Sequence, residues 1–130
     1  MQGLHLTADL HRCRCEITML VDAAASLQIC LDSVKLVGLQ SVNQLIHEFP
    51  AVAGVKSGFT AAILLSESHL CIHTWPEIQA VTLDVYVCNF VGDHSAKAHM
   101  LMDALLAVFM PDSIDRHDLH RGMLTVTKSL

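Results

Sequence analysis

The chain has 130 residues, the size of one domain, and we expect a single domain over residues 1–130. Apolar residues make up 52% of it, which excludes intrinsic disorder, and charged residues 16%, a low share that favours an oligomer. The net charge of −5, the lack of a Lys/Arg run and the few aromatics argue against a nucleic-acid partner.

The first part of the chain predicts a strand, a helix and a second strand. Residues 3–12 alternate loosely and predict the first strand. Apolar residues at helical spacing in residues 22–37 predict an amphipathic helix, with Gly38 as its stop signal. Residues 41–49 have a weaker strand pattern, and residues 50–58, with their proline and glycines, predict a loop.

The middle of the chain predicts two or three strands. Residues 59–68 are strongly apolar and predict a strand, which residues 69–75 would continue as far as Pro76. Residues 80–90 alternate between apolar and polar side chains, which is typical of a half-buried antiparallel strand.

The last part predicts a helix and a short strand. Residues 93–110 carry an apolar stripe at helical spacing, with Asp93 or Ser95 as N-cap and an end at Pro111. Residues 123–128 predict the final strand. The order of elements predicts an α+β fold, in which an antiparallel sheet carries two helices on one face.

The expected cellular compartment is the cytoplasm. No apolar run reaches membrane-spanning length, and the N-terminus lacks a signal-peptide pattern, so we expect no membrane contact. The five cysteines are an odd number without a CxxC pair, which argues against a disulfide framework.

The run LLSESHLCIHTWPE, residues 64–77, places unusual chemistry in a strand pattern. Extended backbone would put four reactive side chains on one face, namely Glu67, His69, Cys71 and His73. The first hypothesis is that these groups are simply solvated or hydrogen-bonded.

A second hypothesis is a zinc site. His69, Cys71 and His73 lie at alternate positions and could converge on one ion. No second ligand cluster has convincing spacing, and we expect His117 and His120 to be exposed in a charged loop.

Two further hypotheses are catalytic. Cys88 can be a thiol nucleophile paired with a histidine. Alternatively, the Ser68 hydroxyl attacks the preceding carbonyl of Glu67 and forms an ester, and β-elimination then splits the chain. The new N-terminus hydrolyses to a pyruvoyl group, a ketone that forms a Schiff base with an amine and accepts electrons. His73 is a candidate base, and the residue types alone leave all four hypotheses open.

The segment SESHLCIHTWPE, residues 66–77, resembles the processing-site motif of the bacterial and archaeal S-adenosylmethionine decarboxylase family. That motif is close to S-E-S-H-x-x-x-H-T-W-P-E, and every fixed position is present. GLHLTADLHRC resembles the family's opening strand, with His5, Asp9 and Cys13, and LDVYVCNF resembles the strand of its catalytic cysteine. The resemblance spans most of the chain.

The resemblance implies a self-processing, pyruvoyl-dependent decarboxylase of polyamine biosynthesis. Its small-molecule substrate would be S-adenosylmethionine, and its fold a two-layer α/β sandwich. Cleavage would give residues 1–67 and 68–130, with the pyruvoyl cofactor derived from Ser68 and no metal. The cleaved pairs would assemble as a homodimer.

The resemblance also implies roles for individual residues. Glu67 and Ser68 form the cleavage site, His73 assists processing, and Cys88 returns a proton to the substrate's α-carbon. The expected substrate-binding residues are Trp75, Glu77, Phe49 and Asp9.

Two departures from the family pattern affect these expectations. Thr60 stands where the family has a serine that assists processing, so it keeps the hydroxyl but adds a methyl group. The family's H-x-F-x-P-x-G-V-S segment is longer here, so Phe49 can stack on an adenine ring only if the loop carries an insertion. Without a gap, Gly54 would fall at that position.

These departures leave alternatives. The same chemistry on ornithine or arginine would need a carboxylate for the distal cation, for which Asp9, Glu48 and Asp84 are candidates. A non-catalytic activating partner of a decarboxylase is the other alternative, but such a protein has no need for Ser68, His73 and Cys88 together.

Overall fold

The computed structural model describes residues 2–89 and 92–125. Six strands lie within these ranges: β1 (Gly3–Cys13), β2 (Ser41–Glu48), β3 (Phe59–Leu65), β4 (His69–Trp75), β5 (Ala80–Cys88) and β6 (Pro111–Arg121). The helices there are α1 (Thr18–Val21), α2 (Ala23–Leu36) and α3 (Ser95–Phe109), and a 3-10 turn, Pro76–Ile78, follows β4.

The six strands form one sheet in the order β2-β3-β4-β5-β1-β6, and every neighbouring pair is antiparallel. The first strand, β1, therefore lies between β5 and β6, which follow it late in the chain. Helix α2 packs over β2 and β3, and α3 over β1 and β5, so both long helices cover one face. The predicted two-layer α+β fold is confirmed.

Alternation along the strands creates the core. Every second residue of β1, β3, β4 and β5 is buried towards the helices, and burying each large side chain contributes about 1.5–3 kcal/mol. The helices supply the matching apolar stripes: Leu27, Cys30 and Val34 from α2, and Ala98, Leu101, Met102, Leu105 and Phe109 from α3. None of the helices in the described ranges has the length and apolarity needed to cross a membrane.

The helix ends follow their capping chemistry. The Asp22 side chain accepts a 3.1 Å hydrogen bond from the Ala25 N–H at the start of α2. Gly38, with a φ of 83°, follows the helix end as predicted. The prediction of Asp93 or Ser95 as N-cap of α3 was wrong: His94 occupies that position, while the Asp93 carboxylate accepts from the Ser95 N–H at 2.9 Å.

The apolar segment after residue 59 is a hairpin and not one long strand. Strands β3 and β4 pair antiparallel, and the Leu65 N–H donates to the Ser68 carbonyl at 2.9 Å across the connection. Ser66 and Ser68 therefore belong to a turn, and the predicted alternation of faces holds from His69 onward. The apolar residues on both sides of the turn favoured one long strand, although the two serines within it are typical turn residues.

The last strand was predicted in the wrong place. Residues 123–125 form no strand, and residues 126–128 lie outside the described residues. The final strand is instead β6, which pairs with β1 along the sheet edge and is mostly exposed, so it lacks an apolar alternation. His117 and His120 are exposed as expected, but they lie on this strand and not in a loop.

Candidate active site

The sheet face turned away from the helices, hereafter the open face, collects the polar side chains of the central strands. Strand β4 contributes side chains that are partly buried, namely His69, Cys71, His73 and Trp75. Strand β5 places Thr82, Asp84 and Tyr86 beside them. Alternation in the sequence predicts these faces, but the order of strands comes from the fold.

Ser68 lies at the end of the β3–β4 turn, against the end of β5. Its Oγ accepts a hydrogen bond from the Cys88 N–H at 2.9 Å. Glu67 is exposed in the turn, whereas the side chain of Cys88 is buried, with 7% of its surface exposed. The Ser66 N–H donates to the Gln40 carbonyl at 3.2 Å, which anchors the start of the turn.

Thr60 and His73 form a second polar pair. They face each other across β3 and β4, and a 2.9 Å hydrogen bond joins the Thr60 Oγ1 to the His73 Nδ1. The other side of the His73 ring faces Trp75, with 6.1 Å between ring centroids. The hydroxyl of Thr60 therefore orients the imidazole, and its extra methyl group is accommodated.

These two groups lie at different ends of β4. Ser68 precedes the first residue of the strand, and His73 is near its end, so five residues of extended chain separate them. At about 3.3 Å per residue this is about 16 Å. Within one chain, the Thr60–His73 pair is therefore too far from Ser68 to touch it.

A cavity of about 770 Å³ opens beyond the end of β4. Phe49, Trp75 and Glu77 all line it, together with apolar side chains that include Ile17 and Val21 from the region of α1. The structure thus brings together three of the four predicted substrate-binding residues.

The fourth, Asp9, lies elsewhere. It is exposed on β1 opposite Thr82 and borders a smaller cavity of about 340 Å³, which it shares with Trp75 and Ile78. The resemblance to the family predicts that Asp9 lies on the opening strand. It does not indicate that this part of the strand pairs with β5 at a distance from the larger cavity.

Phe49 reaches the cavity because the loop that follows it, residues 50–57, folds back on itself. The Phe49 N–H donates to the Gly58 carbonyl at 3.0 Å, so the chain leaves and re-enters the sheet at one point. Gly58 is required at this point, since a Cβ there would lie 2.0 Å from the Thr74 carbonyl oxygen. Phe49 therefore lines the cavity, whereas Gly54 is outside the set of residues that line it.

A charged cluster near Ser68 was not predicted as a unit. The His5 Nε2 lies 3.3 Å from the Asp84 Oδ1, and the Arg121 guanidinium stacks over the Tyr86 ring at 4.9 Å. Burial lowers the pKa of His69, and the nearby His5 and Arg121 lower it further against the opposing effect of Asp84. The pairing of β1 with both β5 and β6, which no local pattern indicates, assembles this cluster.

The hypothesis of a metal site concerned His69, Cys71 and His73. All three lie on the open face of β4. Among the residues that the structure describes, no group of three or more His, Cys, Asp or Glu side chains is arranged to hold a metal ion.

Comparison with known proteins gives the family. Residues 4–122 match the model of the S-adenosylmethionine decarboxylase family. The chain belongs to that family. It is therefore a decarboxylase, a carboxy-lyase, as predicted.

Several relatives are named S-adenosylmethionine decarboxylase proenzyme. The one from Hydrogenobaculum sp. is 35% identical over 97% of this chain and 86% of its own length. The one from Methanococcus maripaludis strain C5 is 32% identical over 95% and 93%. The crystal structure of the adenosylmethionine decarboxylase from Aquifex aeolicus matches with a TM-score of 0.78 and 30% identity, covering 98% of this chain and 97% of that one.

Proposed function

We propose that this chain is a cytoplasmic proenzyme that cuts itself between Glu67 and Ser68 and then decarboxylates S-adenosylmethionine for polyamine synthesis. The observation that carries the proposal is the 2.9 Å hydrogen bond from the Cys88 N–H to the Ser68 Oγ, because it joins the cleavage residue to the proposed proton donor. The word proenzyme in the relatives' names supports the self-cleavage.

Self-cleavage uses the exposed turn. The Ser68 hydroxyl attacks the Glu67 carbonyl carbon, a base takes the hydroxyl proton, and the peptide bond becomes an ester. Elimination then leaves a carboxylate on Glu67 and, after hydrolysis with loss of ammonia, a pyruvoyl group at residue 68. The amide of Cys88 fixes the attacking oxygen while leaving it free to lose its proton.

The base for this step comes from a second copy of the chain. Thr60 and His73 lie about 16 Å along β4 from Ser68, so a partner whose strand runs in the opposite sense across the open face would bring its pair to this serine. Exposed leucines flank that face and favour its burial: Leu45, Leu64 and Leu119 are 76%, 49% and 57% exposed. The active unit is therefore a homodimer of cleaved chain pairs.

The residues around Ser68 fit a pyruvoyl group. Such a ketone accepts the electrons that a bound amino acid releases when carbon dioxide leaves. Cys88 contributes the buried thiol beside this position and returns a proton to the substrate's α-carbon. Its burial keeps water away from the same step.

The large cavity supports S-adenosylmethionine as substrate, and because it lies at the Thr60–His73 end of β4 it would serve the partner's Ser68 in the proposed dimer. Phe49 and Trp75 offer apolar rings to a nucleoside base, and the Glu77 carboxylate can accept hydrogen bonds from ribose hydroxyls. The carboxylates that would suit ornithine or arginine, Asp9, Glu48 and Asp84, are outside the set of residues that line this cavity.

Intact mass spectrometry of the purified protein tests the processing. The wild-type chain should give fragments 1–67 and 68–130, the second beginning with a pyruvoyl group, and Ser68→Ala should remain uncut and inactive. A cleaved Ser68→Ala protein would contradict the cleavage site. Carbon dioxide release from S-adenosylmethionine, ornithine and arginine, measured in parallel on the cleaved protein, then tests the substrate.

A further inference from the structure

The loop that interrupts the family pattern is itself a small hairpin, formed by residues 50–57. Val52 and Val55 exchange two backbone hydrogen bonds of 2.9 Å, and Ala53 and Gly54 between them both have positive φ angles, 51° and 78°. This is the geometry of a tight two-residue hairpin turn. The Ser57 hydroxyl donates to the Pro50 carbonyl at 2.8 Å and closes the base.

The hairpin exposes its valines at the mouth of the large cavity. Val52 and Val55 are 70% and 68% exposed, yet both line the cavity. Ile17 and Val21, which line the same cavity, are apolar as well. Binding of an apolar ligand is favoured when it displaces water from the apolar side chains that line a cavity.

The charges of the cavity wall give a basic amino acid no net attraction at this end. Lys56, next to Val55 on the hairpin, and Glu77 both line the cavity, and their opposite charges offset each other. A distal ammonium or guanidinium group would therefore meet no unbalanced carboxylate among these lining residues. The mouth therefore suits a neutral ring with few polar edges.

We propose that Val52 and Val55 on this hairpin are specificity-determining residues, which contact the neutral ring of a nucleoside-bearing substrate and so select it over ornithine and arginine. The proposal rests on the decarboxylase function proposed above and deepens it. The hairpin forms part of the binding wall, at the Thr60–His73 end of β4, which the proposed dimer brings to the partner's Ser68. Its valine side chains carry no group that can act as a base, so they take no part in self-cleavage.

Binding to the uncleaved protein separates this proposal from the processing step. Trp75 is the one tryptophan of the chain and lines the cavity, so its fluorescence reports binding there. In the Ser68→Ala background, 5′-methylthioadenosine, a nucleoside that cannot be decarboxylated, is titrated against the parent protein and against Val52→Asn/Val55→Asn. The double variant should raise its Kd by about five- to twentyfold, because two apolar contacts are lost.

Val42→Asn is the matched control, because Val42 is 58% exposed on β2 and does not line the cavity. It should leave the Kd unchanged. An unchanged Kd in the hairpin variant, or no binding of the nucleoside to the parent protein, overturns the proposal. If circular dichroism shows that the asparagine pair unfolds the chain, the titration is repeated with Val52→Thr/Val55→Thr, which keeps the side-chain shape. A raised Kd in that variant supports the proposal, and an unchanged Kd overturns it.

In the cleaved enzyme, the asparagine pair should raise KM for S-adenosylmethionine and leave kcat and the extent of cleavage unchanged. A fall in kcat alone would contradict a binding role. Failure of the wild-type chain to cleave would reject the proposed function while leaving the nucleoside titration interpretable.

Discussion

Cys88 combines two roles in one residue. Its backbone N–H holds the Ser68 hydroxyl, and its side chain is the proposed proton donor. A side-chain substitution therefore removes one role and keeps the other, which allows processing and turnover to be separated.

Cys88→Ala should still cleave, because the amide that holds Ser68 is retained. Decarboxylation should fall by about 100-fold or more, since general acids contribute factors of that size. Mass spectrometry measures the cleavage and carbon dioxide release the turnover. Unimpaired turnover would remove Cys88 from the mechanism.

Thr60 is expected to stand where the family pattern has a serine, and its Oγ1 is hydrogen-bonded to the His73 Nδ1, so we propose that the hydroxyl is the group that processing needs. Thr60→Val keeps the shape but removes the bond, so self-cleavage should slow by about fivefold, the value of one net hydrogen bond. Thr60→Ser is the control and should cleave at least as fast as the parent. A time course of fragment formation compares the three proteins, and equal rates for all would exclude the hydroxyl from processing.

At the scale of elements, the approach of β3 to β4 sets the geometry of the cavity wall. The Thr74 hydroxyl accepts from the Phe59 N–H at 3.0 Å and donates to the Leu20 carbonyl at 2.7 Å. This buried group ties α1 to both strands. Gly58 leaves the space in which the backbones meet.

Gly58→Ala should lower the free energy of unfolding by about 1–3 kcal/mol, the typical cost of overpacking a core, because the added Cβ would overlap the Thr74 carbonyl. Urea denaturation of the uncleaved Ser68→Ala protein measures it. Gly54→Ala meets no atom within 4 Å and bears only the cost of its positive φ, about 1 kcal/mol, so it is the milder control. A smaller loss at Gly58 than at Gly54 would contradict the close approach.

Elements with a strong period were predictable from the sequence. Alternation located β5, and helical spacing located α2 and α3, because each buries one side. The edge strand β6 was missed because it buries little, and the β3–β4 turn because it has no glycine or proline. The motif predicts the site residues, and the separation of Ser68 from His73 follows from the extended conformation of β4. The pairing of β1 with β5 and β6, which assembles the cluster beside Ser68, is not contained in the sequence pattern.

At the scale of the whole molecule, the proposed shared site would make a second copy of the chain a participant in the chemistry. Neither Ser68→Ala nor His73→Ala should cleave alone. When the two variants are produced together, a mixed dimer contains one complete site, and the His73→Ala chain should be cut while the Ser68→Ala chain stays intact. The two chains differ in mass, so one spectrum shows which is cleaved, and the absence of cut chain in the mixture would contradict a shared site.

The order of strands also determines what a cut in the turn before β4 does to the molecule. The first fragment would hold β1, β2 and β3 and the second β4, β5 and β6, yet β1 lies between β5 and β6. The fragments are therefore interleaved and stay together after the covalent link is lost. Folding before the cut is unimolecular, whereas refolding after it needs two molecules to meet, so recovery from denaturant becomes second order and depends on concentration. A cut chain would thus keep a topology that it could no longer reach by intramolecular folding.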